Sequence, residues 1–352
     1  MIIGYSFWGF LGPGITDTPD GGRSHRRPLV DAIAERGHRL IFLQKDRDRL
    51  EAGDALGDRY TFDAGLPEVD LLFLEWRWPI SGRNTTPCGT PGHTCDLHRQ
   101  NELLEHYTIG RSIPTIIWDK DRQLPPHDPW RDHPGVVVCE AALSPTPGAL
   151  PLLFPVADTL LDAADPHVLA ARPRPLALAY VGNQYDRDEA FDTYFAPAAA
   201  HFFHEVAGKW TDTARWPHVH FRGRIPFTRV SKLYGSALAT VLLLPDRYAR
   251  VGQMTQRIFE AVLAGCLPIT PADIRGAHRF TPASLHVRDG EETVRLLGQL
   301  RAMAGGPAHE QLIADCLDHL DLFRLSRQMA AFDAILDRLD RMSPIAVRKA
   351  VT

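Results

Sequence analysis

Short apolar runs alternate with amphipathic stretches from one end of the chain to the other, the pattern of β-α units built around parallel sheets. IIGYSFW (2–8) predicts a first strand, and Ser24 stands where it can cap a helix through Leu29, Val30 and Ile33 to Gly37, a left-handed terminator. RLIFL (39–43) predicts the second strand and DLLFLEW (70–76) the third. A helix is expected around Asn101 to Tyr107, then strands at PTIIWD (114–119) and GVVVCEA (135–141), apolar enough to be buried on both faces.

Proline and glycine crowd residues 144–155, and RPRP fills 172–175, so a domain boundary is expected in that stretch. The alternation then restarts with LALAYVG (176–182), HVHFRG (218–223), ATVLLLP (239–245), CLPIT (266–270) and SLHVRD (284–289). The chain has 352 residues, more than the roughly 250–300 at which a single core stops growing. The expectation is an α/β protein of two domains, 1–158 and 159–325. A last helix in 326–352 carries Met329, Phe332, Ile335, Leu336 and Leu339 on one face and needs an apolar partner, expected on the first domain.

Composition narrows the class without naming a function. With 44% hydrophobic and 23% charged residues the chain is globular, and a net charge of -4 provides no general field for a polyanion. The opening MIIGYSFWGFLGPG lacks a basic residue ahead of its apolar run and is broken by Gly9, Gly12, Pro13 and Gly14, so it reads as strand and loop, not as a signal peptide. No run approaches the ~18 apolar residues of a membrane span. A cytoplasmic protein is expected, with its five cysteines as free thiols.

The most informative segment is RIFEAVLAGCLPIT (257–270). At 100° per residue Ile258, Phe259, Val262 and Leu263 share one side of a helix, and Arg257, Glu260, Ala261 and Ala264 the other, with Gly265 ending it. The second side reads as a small-residue floor on which Glu260 can accept ribose hydroxyl protons and Arg257 can pair with phosphate. A surface i,i+3 ion pair between the same two residues is the alternative.

R-x-F-E-A-x-x-A-G-x-L-P-I-T resembles the donor-site helix of GT-B glycosyltransferases, in particular the branch related to spore-maturation glycosyltransferases. GRIPFTRVSKLYGSALATVLLLP (223–245) and LAYVGNQYDRD (178–188) are similar to that family's preceding blocks, so the likeness covers roughly residues 178–290. It implies two Rossmann-like domains facing across a cleft, with a nucleotide-sugar as co-substrate and no cofactor. Carried over residue by residue, Glu260 binds the ribose and Arg257 the diphosphate, with Arg250 and Gln253 on the preceding loop as lesser candidates. Arg224 and Lys232 fall where the family places basic residues against phosphates. The loops Gly182-Asn183-Gln184 and Ile225-Pro226-Phe227 would offer backbone groups to the base. Retaining members with two glutamates eight apart carry an acid where this chain has Gly252, which leaves the stereochemical outcome open.

The first β-α loop, residues 9–27, is glycine-rich and resembles the GT-B loop between donor phosphate and acceptor, with Gly12 and Gly14 close to the donor. It is not G-x-G-x-x-G, because Asp17 stands where a third small residue belongs, which argues against a nicotinamide dehydrogenase. A general base is expected at the carboxyl end of a strand. Asp17 and Asp119 are the leading candidates, ahead of Asp20, His25 and Glu75, and a cap or turn role is the alternative for each. Trp8, Trp76, Trp78, Trp118 and Trp130 are core or acceptor-pocket rings, with Trp76 and Trp78 favoured for the pocket. Cys88, His93, Cys95 and His98 lie within eleven positions, but C-x4-H-x-C-x2-H is not a standard zinc spacing, so the loop reads as polar and no metal is assigned.

The expectation is a glycosyltransferase moving sugar from a nucleotide-sugar donor to a small-molecule hydroxyl, without an obligatory divalent ion or membrane partner. The rivals are a DNA-modifying glycosyltransferase acting on a flipped base, a sugar-nucleotide epimerase, and a non-catalytic nucleotide-binding protein.

Overall fold

A computed structural model describes residues 1–14, 22–56 and 59–342. By contact, its described residues fall into two compact units, one of 1–12, 22–153 and 327–342 and one of 13–14 and 154–326. No helix among them is long and apolar enough to cross a membrane.

The first unit is a seven-stranded parallel sheet in the order β3-β2-β1-β4-β5-β6-β7. Its strands are β1 (Ile2–Ser6), β2 (Arg39–Phe42), β3 (Thr61–Phe62), β4 (Leu71–Glu75), β5 (Thr115–Asp119), β6 (Val136–Glu140) and β7 (Leu150–Pro151). β4, β5 and β6 are buried along their whole length, as their unbroken apolar runs require in a sheet covered on both faces. The first helix, Arg23–Glu35, begins one residue before Ser24, which therefore does not cap it; Gly37 past its end has φ +83, the left-handed value a glycine takes without strain. The last helix, Leu325–Met342, buries Met329, Phe332, Ile335 and Leu339, with Phe332 against Phe73 of β4.

The second unit repeats the design in six parallel strands ordered β10-β9-β8-β11-β12-β13. They are β8 (Leu176–Val181), β9 (His204–Ala207), β10 (Phe221–Gly223), β11 (Ala237–Val241), β12 (Leu267–Pro271) and β13 (His286–Val287). In both sheets the chain runs outward on one side of the first strand and then crosses to the other. That reversal opens a crevice at the strands' carboxyl ends, between β1 and β4 in one unit and between β8 and β11 in the other, where open α/β sheets bind ligands.

Candidate functional site

In the second unit the crevice is lined by two arginines that, among the described residues, hydrogen-bond to no carboxylate. Arg187, 6% exposed, follows β8 and is held by carbonyls alone: Nε donates to Leu243 O beyond β11 (3.3 Å), and Nη1 to Asn183 O (3.2 Å) and Tyr185 O (2.7 Å). Burial pulls its pKa below arginine's ordinary value; Tyr180 opposes the shift and Arg257 adds to it. Arg257, on the helix Arg257–Val262, donates from Nε to Val181 O (2.6 Å) and stands 5.8 Å from the Tyr180 ring centroid. Burial works against its charge, but the oxygens of Tyr180, Tyr234 and Glu260 outweigh it and leave the pKa above the ordinary value. Among the described residues no carboxylate pairs with either guanidinium, so the surface ion pair of Arg257 with Glu260 is not formed.

Two cations close enough to repel, in partly desolvated surroundings, are costly unless something anionic joins them. The hydroxyls of Tyr180 and Tyr234, both fully buried, add to the imbalance, because neither has a hydrogen-bond partner among the described residues. The crevice therefore has an excess of donors that an oxygen-rich anion would satisfy.

Gly182 makes the arrangement possible. A Cβ there would lie 2.7 Å from Arg257 Nε and 2.7 Å from Tyr180 Oη, so the guanidinium occupies space that any side chain would take. Several of the loop's polar groups are used inside the unit: Gly182 N donates to Ala207 O, Gly182 O accepts from Trp210 Nε1, Asn183 Oδ1 accepts from Lys209 N, and Gln184 N donates to Lys209 O. The expectation that Gly182 offers its backbone to a base is thus corrected; its N–H and carbonyl serve the unit itself, and the loop positions Arg257 and Arg187.

The helix Arg257–Val262 also corrects the reading of its faces. Ala261 and Ala264 are 0% and 3% exposed and belong to a core cluster with Leu176, Ala179, Leu233 and Tyr234. Their small side chains let the helix Val230–Ser236 pack closely and do not make a floor for a ligand. The partly exposed stripe is Arg257, Glu260 and Leu263. Ile225 and Phe227 pack on the same cluster, and there a cavity of about 480 Å³ collects Arg224, Ile225, Pro226 and Lys232 with Arg222 and Arg229. Arg224 and Lys232 are thus brought to one place, lined separately from Arg257. Gln253 is fully buried, and Arg250 is a surface residue whose Nη2 pairs with Asp246 at 2.9 Å, not a member of the site.

The carboxyl ends of the first unit's strands carry charges of another kind. Glu75, ending β4, is fully buried and holds Arg26 bidentately at 2.8 and 2.7 Å, Lys120 Nζ at 2.8 Å, and the Tyr5 hydroxyl, which donates to it. Burial, then the Glu75 charge, pushes the Tyr5 pKa well above its ordinary value. Glu140, ending β6, pairs with Arg122 and, at 2.9 Å, with Arg131. Asp119, proposed from sequence as a base, is fully buried, and its oxygens accept from Gln123 N (2.9 Å) and Leu124 N (2.8 Å). Burial raises its pKa to about 6 against those two hydrogen bonds. It is a turn residue, and the catalytic assignment is withdrawn. Asp17 and Asp20 lie outside the described residues.

Gly12 is likewise structural: its N–H donates to Asp48 Oδ1 (2.8 Å) and its carbonyl accepts from Arg23 Nε (2.7 Å), so its backbone is not available to a donor phosphate. Gly14 is exposed. Trp8 packs edge-on to Trp78 (4.6 Å), Trp118 is buried with Nε1 on Leu152 O, and Trp76 lies against the apolar core, which leaves Trp78 as the ring of this group nearest to the expected pocket role. Arg77, one residue beyond Trp76, is 3% exposed and gives Nη2 to Ser6 Oγ and Phe7 O, while Nε and Nη1 have no partner among the described residues.

The same architecture occurs in solved structures. The T4 phage protein BGT in complex with UDP and Mn2+ superposes over 97% of this chain and 100% of its own, with a TM-score of 0.63 at 14% identity. AviGT4, a glycosyltransferase involved in avilamycin A biosynthesis, covers 97% of each chain with a TM-score of 0.55 at 15% identity. A glycosyltransferase from Rickettsia africae covers 97% of this chain and 99% of its own, with a TM-score of 0.60 at 10% identity. The fold is GT-B. No family model matches the sequence, and no curated protein matches it closely enough to count as a relative. In the GT-B frame the arginines that bond no carboxylate among the described residues stand at the switch point of the C-terminal Rossmann-like unit, and the neutralised carboxylates at that of the N-terminal one.

Proposed function

We propose that the protein is a glycosyltransferase that takes its sugar from a nucleoside diphosphate donor. The observation that carries this reading is the pair Arg187 and Arg257, held at the β8/β11 switch point with no carboxylate hydrogen-bonded to either guanidinium among the described residues. A diphosphate supplies the missing acceptors, and its charge rises as the sugar leaves, so fixed guanidiniums stabilise the transition state more than the ground state. They also supply charge that a divalent ion would otherwise bring, and transfer is taken to need no obligatory metal. Glu260 accepts the ribose hydroxyls, and the cavity of Arg224, Ile225 and Lys232 receives the base or a further anionic part of the donor. Asp17 is the general base kept from the sequence reading.

Similar structures hold UDP or UDP-glucose, which makes a uridine donor the first to test. The acceptor is a hydroxyl, taken as that of a small molecule because the net charge is -4. The DNA-base reading is favoured by one finding, the likeness to a structure described as the DNA modifying enzyme beta-glucosyltransferase, at 13% identity. Duplex DNA retained at low salt and released at higher salt would favour it.

A thermal-shift panel of UDP, dTDP, GDP and ADP identifies the donor base, because a ligand that binds only the native state raises Tm with occupancy. Release of that nucleotide from its sugar conjugate, dependent on an added acceptor, then separates transfer from epimerisation and from simple binding. Absence of a shift with every nucleotide would overturn the proposal.

A further inference from the structure

Residues 76–95 join β4 to the helix Asp96–Leu103 without a strand or helix of their own, an uncommon length for an irregular connection in a compact domain. The near part is well held. Gln100 bonds both the N–H and the carbonyl of Arg77 (2.7 and 3.1 Å), Asn84 bonds Ile80 N and Trp78 O, and Thr94 N returns to Arg83 O. The tip is different. Between Thr85 and Cys95 no residue is buried, and Pro87, Gly89, Pro91 and Gly92 leave little but turn hydrogen bonds to order it.

At that tip three nitrogen and sulfur donors come together, with a fourth, from His98, against one of them. The ligand atoms of Cys88, His93 and Cys95 all lie within 4.8 Å of one another, and Cys88 Sγ is 3.1 Å from His98 Nδ1. The two Sγ atoms are 3.9 Å apart; two thiolates on one tetrahedral zinc, with bonds of about 2.3 Å, sit about 3.8 Å apart. His93 Nδ1 is 3.0 Å from Thr86 Oγ1, while Nε2 is buried and has no partner among the described residues. One ring nitrogen tied to a protein oxygen and the other left open is how metal-binding histidines are held. The turns at Gly89 (φ +87) and Gly92 (φ +80) fold the chain back so that Cys88 meets Cys95, and His98 follows one helical turn later. The linear spacing hides this reversal, which is why the sequence pattern matched no standard zinc motif.

We propose that Cys88, His93, Cys95 and His98 bind one tetrahedral zinc-class cation that closes the tip of this loop. Two thiols give up their protons on binding, and the divalent charge is balanced by two thiolates with two neutral imidazoles. The role is structural: it supplies the loop leaving β4 with the order that burial does not. The two assignments use different residues on different units and rest on separate observations, so either can fail without the other.

The test uses the full chain, purified under reducing conditions without chelator. Elemental analysis is expected to give about one zinc per chain. Metal-free protein titrated with Co2+ is expected to show tetrahedral visible bands and a thiolate-to-cobalt charge-transfer band, absent from Cys88→Ser and Cys95→Ser. His98→Ala is expected to weaken zinc binding at least ~10-fold, and Cys88→Ser to leave the affinity for UDP unchanged. Less than about half an equivalent of zinc, with no charge-transfer band in the parent chain, would overturn the proposal.

Discussion

Both sheets run in the order in which the fourth strand joins the first, and arginine stands at both switch points, yet the two crevices treat its charge differently. Between β1 and β4, Arg26 meets Glu75, which also takes Lys120 and the Tyr5 hydroxyl. Between β8 and β11, Arg187 and Arg257 face carbonyls, tyrosines and each other. A buried cation with a carboxylate needs no ligand, whereas two without one are completed by an anion from outside. Arg77 qualifies the contrast, since among the described residues it too lacks a carboxylate bond and keeps two nitrogens without a partner at the first crevice; it is one such cation there against two in the second unit.

The largest effect expected is on the paired side. Glu75→Gln strands Arg26 and Lys120 in the core and should lower unfolding stability by roughly 3–5 kcal/mol, read as a shift in denaturant midpoint, with no selective loss of nucleotide binding in whatever protein remains folded. On the unpaired side, Arg187→Met or Arg257→Met should weaken UDP binding roughly 10- to 100-fold by calorimetry, as removal of charge-assisted hydrogen bonds does. Stability of the ligand-free protein should hold or rise for Arg187→Met, whose charge burial disfavours, and should fall for Arg257→Met, whose charge the surrounding oxygens favour.

Asp119 is a carboxylate held by backbone N–H groups. Its folded pKa of about 6 lies above the ordinary 3.8, so the folded state binds the proton more tightly and stability is gained as pH falls through that window. Measured by denaturation from pH 7 to 4.5, the parent should gain up to roughly 2 kcal/mol relative to Asp119→Asn, and a parallel pair of curves would refute the assignment. The smallest effect is expected from Gly182→Ala, which displaces the Arg257 guanidinium and should cost about tenfold in UDP affinity.

Much of the fold was legible because buried parallel strands announce themselves as continuous apolar runs. β9 was not, since HEVA alternates polar residues and follows the exposed Phe203; β3 and β7 are two-residue edge strands with little to bury. In the site, Arg257 was legible from its motif, but Arg187 was not. It sits in YDRDE, where an arginine among acids reads as a solvated charge, and only folding shows Asp186 turned to Arg247 and Asp188 to Arg215. Ala261 and Ala264 misled for a related reason: small residues admit a ligand or a neighbouring helix equally well, and the helix took the space. Asp119 looked catalytic because it ends a strand, but the turn after β5 uses both of its oxygens.

Arg187 and Arg257 are proposed to hold the diphosphate of the donor. Calorimetric titration of Arg187→Met with UDP, beside the parent chain, tests it most directly. Binding is expected to be at least ~10-fold weaker in a variant no less stable than the parent. Parent-like affinity in a folded variant would contradict it.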